Sequence, residues 1–203
     1  AVDMRQHSRF NLRDFDVPSH FLPDLESILI PEGLVISRIH GLSNEISEHY
    51  EGNEEIYALV ILDGAVKFYS TLLINRRIPF PFRPILRKAS SYIGTLSTGQ
   101  VSTDLDGLPD IKGRKLLIIE DIVDTGHTLT KIIEGLRSYD PKDIKVCTML
   151  DKPSRRETDL IPDFTGITIP NEFVVGYGMD YNELFRTLPH IAVLNPSVYR
   201  TVY

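Results

Sequence analysis

Along the middle of this 203-residue chain, short continuous apolar runs alternate with stretches whose apolar residues recur at helical spacing. Within Ser37–Tyr50, Ile39, Leu42 and Ile46 fall three and four residues apart, as on one helix face. Ile56–Leu62 is an unbroken apolar run, which predicts a strand covered on both faces, and Val66–Ile74 predicts a second helix. The order repeats downstream: Leu116–Glu120 predicts a strand and Leu129–Tyr139 a helix with Leu129, Ile132, Ile133 and Leu136 on one face, before a strand over Ile144–Leu150. Strand-helix-strand units of this length predict right-handed crossovers and an α/β fold, a mainly parallel central sheet flanked by helices. The alternation stops at both ends, so the pattern predicts a core over 36–166 and a small hood built from 1–35 and 167–203. Ala89–Asp110, rich in Ser, Thr, Gly and Asp and with little periodicity, is too long for an ordinary connection and reads as functional or mobile.

The densest chemistry lies in Leu116–Leu129, LLIIEDIVDTGHTL. An apolar strand is followed by Glu120 and Asp121, where an open parallel sheet presents its ligand crevice. Asp124-Thr125-Gly126-His127-Thr128 then supplies a glycine for close backbone approach, hydroxyls for phosphate oxygens, and the start of a helix whose free N–H groups face an anion. The same residues also suit a plain helix cap with solvated acids. The chain contains neither G-x-x-x-x-G-K-[ST] nor G-x-G-x-x-G, so readings as a nucleoside-triphosphate or dinucleotide site lose their main support.

Composition narrows the field. An apolar content of 42% and a charged content of 25% are those of a water-soluble globular domain, and a net charge of −6 argues against a general nucleic-acid or membrane-surface binder. There is no signal-peptide pattern and no 18-residue apolar stretch, so a cytoplasmic location is expected. The single cysteine, Cys147, sits in an apolar run and reads as a small buried hydrophobe. The six histidines lack metal-binding spacing, which leaves a hard cation on carboxylates as the expected metal.

Two further groups follow. Strand Ile144–Leu150 ends in Asp151-Lys152-Pro153-Ser154-Arg155-Arg156, which sets a lysine at the carboxyl edge of the sheet. Phe173-Val174-Val175-Gly176-Tyr177-Gly178-Met179-Asp180 is an apolar strand broken by glycines and closed by an acid. The first string resembles the 5-phosphoribosyl-1-pyrophosphate (PRPP) motif of type I phosphoribosyltransferases. With LDKPSRRE, NEFVVGYGMDYNELFR, IPEGLVISRI and SSYIGTLSTG, most of the chain is similar to the hypoxanthine-guanine phosphoribosyltransferase family.

That resemblance implies the type I phosphoribosyltransferase fold with a hood, and a purine salvage reaction. The 5-phosphoribosyl group of PRPP would pass to N9 of hypoxanthine or guanine, giving IMP or GMP and pyrophosphate. It implies Asp124 as the catalytic base, and Glu120 and Asp121 on the ribose hydroxyls. Asp124, Thr125, Gly126, His127 and Thr128 would cradle the 5′-phosphate, and Asp63, Gly64 and Arg186 would lie at the pyrophosphate. Lys152, Phe173, Val174 and Asp180 would hold the base, and Ser91 and Tyr92 would form a closing lid. It implies Mg2+ on Glu120, Asp121 and Asp180, and a homodimer or homotetramer. One departure stands out: where the family carries a basic residue before glycine, this chain has Asp63-Gly64. An acid there keeps open a nucleotide-binding regulator with weak turnover; a third reading, a nucleotide-binding scaffold in a larger assembly, would not need a lysine positioned for O6.

Overall fold

The computed structural model of the protein describes residues 1–50, 55–74, 78–88, 105 and 107–199. Six strands form one sheet in the order β1 (Val2–Asp3), β7 (Phe164–Thr168), β6 (Asp143–Asp151), β5 (Lys115–Val123), β3 (Ile56–Leu62) and β4 (Phe82–Lys88). Every neighbouring pair is parallel. The remaining strands, β2 (Leu25–Ile30), β9 (Ile191–Leu194) and β8 (Val174–Val175), make an antiparallel sheet of three.

The central strands are continuous apolar runs because both of their faces are covered. Alternate residues Ala58, Val60, Leu117, Ile119, Cys147 and Met149 pack against α1 (Glu32–His49) and α2 (Ala65–Ile74). Their neighbours Tyr57, Leu59, Leu116, Ile118 and Val146 face α3 (His127–Arg137) through its stripe of Leu129, Ile132 and Leu136. Cys147 is fully buried, and burial pushes its thiol well above the usual range, so it serves as packing. No helix among the described residues is long and apolar enough to cross a membrane.

The division of the chain differs from the one its periodicity predicts. The boundary at 35/36 falls inside α1, because Val35 continues the buried stripe of Ile39, Leu42 and Ile46 by one turn. The boundary at 166/167 falls inside β7. The extreme N-terminus also leaves the hood: β1 pairs with β7 at the edge of the large sheet, and Met4 joins the core beneath α1. A two-residue strand carries no periodicity of its own, so its partner supplies the reason for it. The hood core is Phe21, Leu25, Ile28, Val175, Phe185 and Leu188, closed by the β9 residues Ala192 and Leu194.

A histidine just before β9 caps the start of α1. Pro31 precedes α1 and offers no side-chain cap, and the first helical N–H, that of Glu32, is instead donated to Nδ1 of His190 at 3.0 Å. An accepting Nδ1 requires the neutral ring. Burial lowers the pKa of His190, against the opposing pull of the Glu32 and Asp16 carboxylates and with the help of Lys67. The unfolded chain therefore binds this proton more readily than the folded one, so the contribution is fully present at neutral pH. It is lost as pH falls through the ordinary histidine value of about 6.5 toward the lower folded one. Thermal midpoints between about pH 7.5 and pH 5.5 are expected to fall less in His190→Gln than in the native protein. Parallel slopes for the two proteins would remove His190 from this role.

Candidate active site

The crevice opens at the carboxyl ends of β3, β5 and β6. Strand β5 pairs with β3 only as far as Val60↔Ile119, yet with β6 as far as Val123↔Asp151. The strand predicted to end at Glu120 thus runs on to Val123, and Glu120 and Asp121 lie in its projecting part. The turn that follows β3 folds over them. A Cβ on Gly64 would stand 1.7 Å from Asp121 Oδ2, so only glycine lets this carboxylate lie against the turn. The Leu62–Asp63 peptide that leads into the turn is cis.

Glu120 is buried, and Asp121 beside it is half-buried. Desolvation raises Glu120 far above the normal carboxylate range, and the adjacent charge of Asp121 adds to it. Asp121 is also raised by desolvation, while its hydrogen bonds to Glu120 and the Ile122 N–H and the charge of Arg186 pull the other way. The two carboxyls therefore titrate as one unit that favours holding a proton until cations or hydroxyl donors reach it.

After β5 the chain turns through Asp124-Thr125-Gly126 into α3. Gly126 has φ +90°, and a Cβ there would meet Thr158 Oγ1 at 2.3 Å, so both conformation and contact require glycine. The loop after β6 braces this turn from outside. Arg156 donates to the carbonyls of Asp124, Val123 and Leu160 and pairs with Asp151, and the Glu157 N–H donates to the Thr125 carbonyl. The same loop sends Lys152 inward, with its side chain 8% exposed. Its ammonium lies 3.5 Å from Asp124 Oδ2, while Arg155 Nε stands 3.2 Å from Oδ1. Burial lowers the pKa of Lys152, and Asp124 opposes that shift.

The hood supplies the far wall. Asp180 accepts the Glu183 N–H at 2.9 Å and pairs with Arg186 at 2.9 Å. Arg186 also donates to the Gly178 carbonyl, and a Cβ on Gly178 would stand 2.4 Å from the Gly64 carbonyl, so hood and turn are in direct contact. Two cavities result, of about 430 Å³ and about 250 Å³. Asp63, Gly64, Glu120, Thr125 and Arg186 line the larger one; Lys152, Phe173, Val174 and Met179 line the smaller. Asp121, Ile122, Asp124 and Asp180 belong to both and form the passage between them.

The result is one site in two compartments, the larger lined by carboxylates and the start of α3, the smaller by Lys152 and apolar side chains. A phosphoribosyl transferase domain is recognised over residues 31–182. The chain is 37% identical to the hypoxanthine-guanine phosphoribosyltransferase of Homo sapiens over 196 residues, covering 93% of this chain and 89% of that protein. The chain belongs to the hypoxanthine-guanine phosphoribosyltransferase family. Solved structures agree. A Staphylococcus aureus hypoxanthine phosphoribosyltransferase superposes with a TM-score of 0.82 at 38% identity, over 92% of this chain and all of that one. A Bacillus anthracis hypoxanthine-guanine phosphoribosyltransferase gives 0.76 at 35% identity, over 85% and 99%. The fold is the type I phosphoribosyltransferase fold.

Most of the residues named from the sequence converge on these two cavities. His127 does not: its ring is half exposed and turned to Glu157, 2.8 Å away, so only its backbone N–H belongs to the head of α3. Glu120, Asp121 and Asp180 do not make a ready cage either, since no group of three or more potential metal ligands occurs among the described residues. Asp180 is instead occupied by Arg186 and a backbone N–H. Ser91 and Tyr92 lie outside the described residues. The sequence reading missed Lys88 and Glu183, which line the larger cavity, and Arg155, which holds Asp124. The signal for Lys88 was available in the pairing of parallel strands: it ends β4 directly beside Leu62.

Proposed function

We propose that the protein transfers the 5-phosphoribosyl group of PRPP to N9 of hypoxanthine or guanine, giving IMP or GMP and pyrophosphate. The observation that carries this reading is Lys152, a buried ammonium in the smaller cavity beside Asp124. Lysine has three donors and no acceptor, so facing a purine O6 it is satisfied and facing an adenine amino group it is not. Phe173 stacks on the base, the Val174 backbone reads its edge, and Asp180 lies near the exocyclic position. Tyr199 already stacks on Phe173 at 4.8 Å between ring centroids, which leaves the other face of the ring for the purine.

At the reacting end Asp124 accepts the N7 proton as N9 displaces pyrophosphate from C1 of the ribose, and Lys152 leaves Asp124 for O6 in the same event. The backbone N–H groups and hydroxyls of Asp124–Thr128 take the 5′-phosphate. Glu120 and Asp121 accept from the ribose hydroxyls, and their negative charge faces the positive charge that develops on the sugar ring. Arg186 meets the pyrophosphate. The two adjacent carboxylates of Glu120 and Asp121 also fit Mg2+, which takes one or two protein carboxylates and completes its shell with water and substrate phosphates. When bound, that ion offsets the negative charge gathering on the leaving group.

A regulator without turnover rested on Asp63 alone. In the folded chain Lys88 stands 3.4 Å from that carboxylate and supplies a counter-charge in the same turn, which favours the enzyme. The deciding experiment is pyrophosphate release from PRPP with hypoxanthine, guanine, xanthine and adenine. Release is expected with the 6-oxopurines, with adenine discriminated against by roughly 10⁴-fold because it leaves a buried donor unpaired. Equal use of adenine, or nucleotide binding without PRPP consumption, would overturn the proposal.

A further inference from the structure

Six acidic residues line the larger cavity, Asp63 among them, against two cations, Lys88 and Arg186, among the described residues. Such a lining is poorly suited to a pyrophosphate group unless at least one cation is free to turn toward it. Arg186 is already committed to Asp180, to Glu183 at 3.3 Å and to the Gly178 carbonyl. Lys88 is held differently. Its ammonium lies 3.4 Å from Asp63 Oδ2, and its side chain is 72% exposed on a flexible stem. Pairing of Leu62 with Lys88 in adjacent parallel strands fixes the lysine beside the turn, whichever way its end points.

We propose that Lys88 is a pyrophosphate-binding residue and that Asp63 is its resident counter-ion, so that the anion enters by taking the Lys88 ammonium from the Asp63 carboxylate. This inference rests on the reading that the larger cavity receives PRPP. An exposed ion pair is held by little net free energy, because water and salt screen it and two side chains must be ordered. A multiply charged diphosphate is the stronger partner for a compact ammonium. Once displaced, the Asp63 carboxylate competes for the same cation and repels the bound anion. Pyrophosphate is both part of the substrate and a product, so this competition lowers its affinity and hastens its departure. The acid in the turn thereby acts as a release device while the cation is carried by the neighbouring strand.

The test is the dissociation constant of magnesium pyrophosphate for the native protein, Lys88→Gln, Asp63→Asn and the double variant, at low and high salt. IMP affinity and thermal midpoint are measured alongside. Lys88→Gln is expected to weaken pyrophosphate binding roughly tenfold at low salt, the scale of one lost charge-assisted hydrogen bond. Asp63→Asn is expected to tighten it roughly threefold, less when Lys88 is already glutamine, and both changes shrink at high salt. IMP affinity and thermal midpoint stay at their native values. Native pyrophosphate affinity in Lys88→Gln at low salt, or weaker binding in Asp63→Asn, would overturn the proposal and leave a surface ion pair. Failure of the underlying reading is seen separately, as a native protein that forms no IMP from PRPP and hypoxanthine.

Discussion

Asparagine at position 124 is expected to cut IMP formation by roughly 10²–10⁴-fold, the range for loss of a positioned general base, while PRPP and base still bind. The carboxylate sits between Lys152 at 3.5 Å and Arg155 at 3.2 Å, in the passage shared by both cavities. An amide of the same size keeps its oxygen for one of these donors, and the backbone of the turn is untouched. What it loses is the capacity to take the N7 proton, which matters only as the bond to C1 forms. The effect therefore falls on kcat, with Kd for PRPP nearly unchanged. Single-turnover IMP formation beside equilibrium PRPP binding measures the two quantities separately. Turnover within a few-fold of native would assign Asp124 to binding alone.

The parts of this site that lie close together in the chain were legible before folding; the parts assembled from distant segments were not. Glu120 to Thr128 form one strand, one turn and one helix start, so local periodicity and turn chemistry carry the whole arrangement. Lys152 was legible for the same reason, as the residue after a buried strand. The hood is different. Strand β2 pairs with β9 across most of the chain, Leu25 against Leu194, and the strand beside β9 on its other edge, β8, is only two residues long. The contacts that tune the site are likewise non-local: Gly178 against the Gly64 carbonyl, Asp121 against Gly64, Lys88 beside Asp63. His127 shows how a distant segment decides a side chain inside a local motif. It stands inside the turn that opens α3, yet Glu157, thirty residues on, claims its ring.

Glutamine in place of Lys152 is expected to lower kcat/KM for hypoxanthine by roughly 10²–10³-fold, the cost of truncating one partner of a buried, hydrogen-bonded charge pair. PRPP affinity is expected to stay within a few-fold of native, because Lys152 lines only the smaller cavity. Two further readouts separate a base-reading lysine from a structural one. A base-reading lysine meets O6 as an ammonium, and burial already lowers the pKa of Lys152. Oxopurine affinity must then decline as pH rises through that lowered value, and the alkaline limb must vanish in Lys152→Gln. Selectivity must change as well. A glutamine amide carries both a donor and an acceptor, so it satisfies an adenine amino group as readily as an oxo group. The native preference of roughly 10⁴-fold for hypoxanthine over adenine is expected to collapse toward parity, chiefly through loss of the oxopurine. Equal losses for base and PRPP, with selectivity and pH profile intact, would mean that Lys152 supports the turn at Asp124 and that the base is read elsewhere.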